Sequence, residues 1–133
     1  MSLTNKHLEV HRLNDSQPVF LQIMEIIEND IITSVYKTDD LIVSTTQIAK
    51  LYSVNPSTAV KAVSKLTDMG ILYKKTGIGM CVADGAREKI IARRRGAFLN
   101  ATIDSLLTEA KTLGVSVDEV INIIKERGTL SDD

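Results

Sequence analysis

The dipeptide Asn55-Pro56 constrains the fold of this chain more than any other feature. Asparagine accepts hydrogen bonds from the free amides that begin a helix, and proline is preset for the first helical position. We therefore predict a helix that starts here and ends at Met69-Gly70, where glycine is the usual stop. Its predicted apolar side contains Ala59, Ala62, Val63 and Leu66.

A second helix is predicted immediately before it. Ser44 to Gln47 has the Ser-x-x-Gln pattern of a capping box, in which serine and glutamine bond each other's backbone amides. Only Ser53 and Val54 separate the end of this helix from Asn55. Two helices joined by so short a turn indicate a helix-turn-helix motif.

The flanking segments predict the rest of the N-terminal domain. Residues 1–17 are polar and predict a loose arm, and a first helix is predicted from about 18 to 34, starting at Pro18. The apolar run Leu41-Ile42-Val43 is a candidate strand. After Gly70, Ile71-Lys75 and Met80-Val82 predict two short strands around the glycine turn Thr76-Gly79, a β-wing.

This order of elements predicts a winged helix-turn-helix over residues 18–83, whose third helix enters the major groove of DNA. The remaining residues, 84–133, have helical periodicity from Ala86 to Leu113, a break at Gly114 and a second capping box at Ser116-Glu119. The predicted fold class is mainly α with a small β-wing, an N-terminal winged helix-turn-helix followed by a two-helix dimerisation segment.

Charge is distributed unevenly along the chain. The net charge is -1, yet between Ser44 and Met80 five lysines stand against the single acid Asp68, a local balance of +4. A polyanion needs only such a local patch, because electrostatic attraction falls off over a Debye length of roughly 10 Å. The region around the predicted third helix and wing is therefore suited to nucleic acid.

We expect DNA contacts from both helix starts and from the wing. Hydroxyls and lysines can bond phosphates or base edges, and a helix N-terminus favours a phosphate. Lys74 and Lys75 can neutralise phosphates beside the wing. The candidate DNA-binding residues are Ser44, Thr46, Asn55, Pro56, Ser57, Thr58, Lys61, Lys65, Lys75, Gly77, Ile78 and Gly79.

Several of these residues together resemble the GntR family of transcription regulators and its small YtrA-like branch. The resemblance covers nearly the whole chain and includes Pro18, Ser44 to Ala49, the run Val54 to Ala59, Gly70, and Gly77-x-Gly79. It implies a bacterial repressor that binds a palindromic operator as a homodimer. The single cysteine, Cys81, separately predicts a location in the reducing cytoplasm. It also implies that the C-terminal helices form a dimerisation device without a ligand-binding domain, and the identity of any small-molecule effector stays open.

The chain departs from this family at two contact positions. The second helix usually opens Pro-Ser-x-Arg, with the arginine on DNA, whereas this chain reads Val43-Ser44-Thr45-Thr46. The wing commonly has a basic residue between its glycines, whereas this chain has Ile78. Both changes remove charged contacts, so we expect weaker binding or a shifted sequence preference.

The C-terminal segment has an apolar stripe longer than a small winged-helix core can cover, which predicts a homodimer. With about fifty residues, it also leaves room for two helices and little enclosed volume for a ligand. The candidate dimerisation residues are Leu99, Ile103, Leu106, Ala110, Leu113, Val120, Ile121 and Ile124.

Other classes of function have little support in the sequence. A single cysteine, Cys81, and two histidines, His7 and His11, offer few metal ligands, and we expect no cofactor, no metal and no enzymatic activity. No apolar run approaches the roughly 20 residues of a membrane span. The alternative function is a winged-helix module that contacts proteins only. The basic run Arg93-Arg95 fits a solvated or dimer-bridging role, or a second anion site.

Overall fold

The computed structural model describes residues 13–131. Most of the arm predicted at 1–17, with His7 and His11, therefore lies outside the described residues. The described residues form two compact units, which divide between Ile91 and Ala92. Within the described residues, no helix is both long and apolar enough to cross a membrane.

The first helix, α1, spans Val19–Ile32. Pro18 precedes it, as predicted, and its buried side includes Ile23, Ile27 and Ile31. The helix stops earlier than residue 34 because Ser34 adopts a left-handed conformation with φ of 65°, which no helix can continue through.

The helix-turn-helix motif follows as α2, Thr45–Tyr52, and α3, Pro56–Asp68. The turn is tight because Ser53 is left-handed, with φ of 53°, and the Val54 amide donates to the Ala49 carbonyl over 3.0 Å. These elements match the two capped helices predicted from Ser44 and Asn55.

One apolar core holds the three helices together. The predicted apolar side of α3 is buried completely at Ala59, Ala62 and Leu66, and it packs with Ile23 of α1 and Ile48 of α2. Since this side of α3 faces the core, its opposite side is left in solvent.

Two strands form the wing, β1 at Leu72–Lys75 and β2 at Gly79–Val82. They pair antiparallel, with Leu72 opposite Val82 and Lys75 opposite Gly79. The strand considered for residues 41–43 is reduced to one bridge, Leu41 to Cys81. Backbone hydrogen bonds still join this segment to β2, since the Asp39 amide donates to Val82 and the Ile42 amide donates to Met80. Ile42 and Val43 are buried, and Ser44 then caps α2.

A fourth helix, α4, spans Ala86–Ala97. Its first turns complete the core, since Ala86 and Ile90 are fully buried. Arg87 Nε also donates to the Ile32 carbonyl at the end of α1, over 3.0 Å. The start of α4 is therefore part of the core of the first compact unit.

Beyond α4 the backbone is π-helical over Phe98–Thr102, followed by α5 at Ile103–Leu113 and α6 at Val117–Ser131. The helical pattern predicted from Ala86 to Leu113 is therefore observed, with a π-helical turn within it. Gly114, with φ of 75°, ends α5, and the Ser116 Oγ accepts from the Glu119 amide over 3.1 Å to start α6.

Candidate nucleic-acid interface

The start of α3 is fixed by its own side chains. Asn55 Oδ1 accepts from the Ser57 amide over 2.9 Å and from the Ser57 hydroxyl over 2.8 Å. Ser57 therefore supports the cap, and its hydroxyl would have to rotate to donate to a phosphate or a base. Asn55, Pro56 and Ser57 are all exposed.

The solvent side of α3 differs in part from the predicted one. Ser57, Lys61 and Lys65 are exposed as expected, whereas Thr58 is half-buried. Two further residues, Val60 and Ser64, lie on the exposed side and were missed by the sequence analysis. The signal was available, because Val60 and Ser64 follow Ser57 by three and seven residues, the helical repeat.

Lys61 has a defined partner on α1. Its Nζ lies 4.1 Å from the centre of the Phe20 ring, a cation–π contact between the two helices. Phe20 is half-buried and packs against the core, so the position of its ring is fixed by this packing. This contact holds the ammonium group on the side of α3 that faces α1.

The start of α2 is a complete capping box. Ser44 Oγ accepts from the Gln47 amide over 3.2 Å, and Gln47 Oε1 accepts from the Ser44 amide over 3.3 Å. Ser44 and Thr46 are exposed. GntR-family regulators usually have an arginine at this helix start, whereas this chain has the uncharged Thr46.

A cleft of about 360 Å³ brings the start of α2 and the wing together. From α2 it is lined by Ser44, Thr45 and Gln47, and from the wing by Lys74, Ile78 and Gly79. Val63 of α3 lies in the same cleft. The rest of the lining is apolar and comes from Leu41, Ile42, Val43 and Met80. The groups in the cleft that can contact a phosphate are therefore the polar side chains at the start of α2 and Lys74.

The two wing lysines have different surroundings. Lys74 is exposed and lines the cleft. Lys75 lies near Tyr73, with its Nζ 6.0 Å from the ring centre, and the Tyr73 hydroxyl donates to Asp39 Oδ1 over 2.5 Å. The hydrogen bond to Asp39 raises the pKa of Tyr73, and the interaction with Tyr73 raises the pKa of Lys75. Lys74 is therefore better placed than Lys75 for a ligand in the cleft.

The wing turn depends on its two glycines. Gly77 has φ of +77° and Gly79 has φ of +139°, a region that side chains rarely adopt. A Cβ on Gly79 would also lie 2.9 Å from Leu41 Cδ1. The Ile78 amide closes the turn by donating to the Lys75 carbonyl over 2.9 Å, which leaves the Ile78 side chain 59% exposed at the tip.

The predicted dimerisation residues differ in their exposure to solvent. Ala110 and Val120 are buried where α5 and α6 pack, whereas Leu99, Leu106, Leu113, Ile121 and Ile124 are exposed, and Ile103 is half-buried. An open apolar groove of about 560 Å³ lies between α5 and α6. Its lining includes Leu106, Leu113, Ile123 and Ile124.

The chain is similar to two regulators of Bacillus subtilis, although no protein-family profile matches it. It is 24% identical over 115 residues to the uncharacterised HTH-type transcriptional regulator YhcF, covering 86% of this chain and 93% of YhcF. It is 23% identical over 111 residues to the HTH-type transcriptional repressor YtrA, covering 84% of this chain and 85% of YtrA.

Solved structures share the fold. A protein of Bacteroides thetaiotaomicron assigned as a GntR-family transcriptional regulator matches with a TM-score of 0.71 and 28% identity, over 87% of this chain and all of that one. The DNA-binding domain of AraR, solved in complex with operator ORX1, matches with a TM-score of 0.52 and 25% identity, over 55% of this chain and 95% of that domain. These matches confirm the predicted winged-helix fold class.

Proposed function

We propose that this chain, which is similar to two HTH-type transcriptional regulators and to a GntR-family structure, binds operator DNA in a sequence-specific manner and represses transcription. The observation that carries the proposal is the cleft in which the start of α2 faces Lys74 of the wing beside α3. A phosphodiester chain fits such a channel, because both walls offer groups that favour an anion.

In this arrangement α3 presents its exposed side to the major groove. Lys61 and Lys65 contact phosphates or base edges, and Ser44 and Thr46 bond the phosphates that run past α2. The wing tip at Gly77-Ile78-Gly79 lies against the neighbouring stretch of the duplex. With no arginine at the start of α2 and none in the wing, phosphate affinity depends on the lysines.

We further propose that the chain acts as a homodimer on a palindromic operator. The exposed apolar side chains of α5 and α6 need a cover, and a symmetric copy supplies one. A two-fold dimer presents two α3 helices to half-sites separated by about 34 Å or a multiple of it along the duplex. Bound at a promoter, such a dimer blocks transcription by occupying the site.

A selection from random duplexes tests the proposal. The full chain is incubated with a library of randomised duplex DNA, and bound sequences are enriched over several rounds and read. We expect an inverted repeat to emerge, and a labelled duplex with this repeat to resist competition from random DNA. Failure to enrich any sequence, with binding no tighter than to random DNA, would contradict the proposal and favour a protein-contact module.

A further inference from the structure

Val60 occupies the exposed side of α3, between Ser57 and Ser64 and next to Lys61. Its side chain is 50% exposed, in contrast to the neighbouring Ala59 and Ala62, which are fully buried. A single exposed valine is ordinary on a protein surface. The position of Val60 is informative, because this side of α3 is the one proposed to enter the major groove.

The chemistry of valine narrows what it can recognise there. It has no hydrogen-bonding group, so it cannot read the donors and acceptors of a base edge. In the major groove, the apolar group that distinguishes one base from the others is the C5-methyl of thymine. Valine is also stiff, since a helix restricts its χ1 angle to one strongly preferred rotamer. Its methyl groups therefore hold a fixed position relative to α3 and lose little entropy on binding.

We propose that Val60 is a specificity-determining residue that selects thymine at one position of each half-site by packing on the thymine methyl group. This inference rests on the proposed function, since it names what one residue of the recognition helix reads. The residues around Val60 support the assignment. Val60 is exposed on the same side of α3 as Lys61, which is proposed to contact DNA, so its methyl groups face the same groove.

The experiment begins with the operator obtained by selection. Each thymine of a half-site is replaced in turn by deoxyuridine, together with the symmetric thymine of the other half-site. Uracil pairs like thymine but lacks the methyl group. We expect one replacement to weaken binding of the full chain about fourfold per half-site, the effect of removing one buried methyl-sized group, and about tenfold or more for both.

The Val60→Ala variant then shows whether Val60 makes the contact. Alanine keeps the helix and removes the two methyl groups, so Val60→Ala should bind the thymine operator about as weakly as the original chain binds the uracil one. Its affinities for the two operators should be nearly equal. Lys74→Ala serves as the matched control, because loss of a phosphate contact should weaken binding to both operators by the same factor and preserve the thymine preference.

Each outcome has a distinct meaning. A thymine preference that is present in the original chain and in Lys74→Ala, and lost in Val60→Ala, supports the inference. If the selected operator is bound tightly and no uracil replacement matters, or if Val60→Ala keeps the full preference, the assignment of Val60 is wrong while the proposed function stands. If selection enriches no sequence, the proposed function fails and the inference fails with it.

Discussion

Lys61 Nζ lies 4.1 Å from the centre of the Phe20 ring, which links the recognition helix to the first helix at the edge of the proposed DNA-binding surface. An exposed cation–π contact contributes about 0.5–1 kcal/mol. This is smaller than the roughly 1.5–3 kcal/mol of a hydrogen bond to a charged group. Lys61 can therefore leave the ring for a phosphate or a base at a small cost. Without DNA, the Phe20 ring holds the ammonium group beside the proposed DNA-binding surface.

We predict that Lys61→Ala weakens binding to a single half-site about tenfold, since it removes one charge-assisted contact. Phe20→Leu should change the affinity by less than about fivefold, because the lysine stays and the ring contact that it gives up on binding DNA is worth only about 0.5–1 kcal/mol. Fluorescence anisotropy on a labelled half-site duplex measures both. Thermal unfolding is the control for Lys61→Ala, and a fall of its melting temperature in parallel with affinity would mean that Lys61 has a structural role.

The different surroundings of the wing lysines predict different salt effects. Lys74 lines the cleft, whereas Lys75 is engaged with Tyr73 near Asp39. Each phosphate contact contributes about 0.9 to the slope of log affinity against log salt, so Lys74→Ala should reduce the magnitude of the slope by about 2 for a dimer on a full operator. Lys75→Ala should reduce it by less. Equal slopes for Lys74→Ala and the original chain would show that Lys74 does not contact a phosphate.

The capping role of Asn55 predicts that removing its side chain lowers the stability of the fold. Asn55→Ala removes the acceptor of the Ser57 amide and hydroxyl and should cost about 1 kcal/mol, a fall of roughly 4–8 °C in the melting temperature of a domain of this size. Asn55→Gly should cost only a few tenths of that, because glycine is tolerated at a helix cap. Circular dichroism melts of both variants measure the difference, and equal losses would contradict the capping role.

Local signals explain how much of the fold could be predicted. Asn55-Pro56 and the Ser44 capping box act within a few residues, so both helix starts were predicted correctly, and Gly77 and Gly79 marked the wing turn. The resemblance to the GntR family and its YtrA-like branch, inferred from such motifs, is confirmed by the relatives and the structural neighbours.

The parts that were missed depend on longer-range packing. Leu41 pairs with a residue forty positions away, and the Ile42 amide donates to Met80, so the extent of pairing with β2 depends on contacts that are distant in the sequence. The orientation of Lys74 towards the cleft follows from strand pairing rather than from the basic pair itself. The π-helical turn at Phe98–Thr102 has no local marker such as proline. The individual DNA-contacting and dimerisation residues remain predictions.

The exposed apolar side chains of the second unit predict how a dimer would be broken. Leu113 is 70% exposed on α5 and lines the groove between α5 and α6, so it contributes little to the fold of one chain. A glutamate at this position would place a charge in the proposed apolar interface of both copies, at a cost of several kcal/mol per ion. We expect Leu113→Glu to weaken self-association about a hundredfold or more and leave the melting of the first unit unchanged.

Lys111→Glu is the matched control, since it introduces the same side chain at an exposed polar position of the same helix. Light scattering at micromolar concentration should give a dimer for the original chain and for Lys111→Glu, and a monomer for Leu113→Glu. Because a two-fold dimer engages both half-sites, Leu113→Glu should lose most of its affinity for the full inverted repeat and keep that for one half-site. A monomeric original chain, or a Leu113→Glu variant that associates and binds the repeat as tightly as the control, would refute a dimer held by this groove.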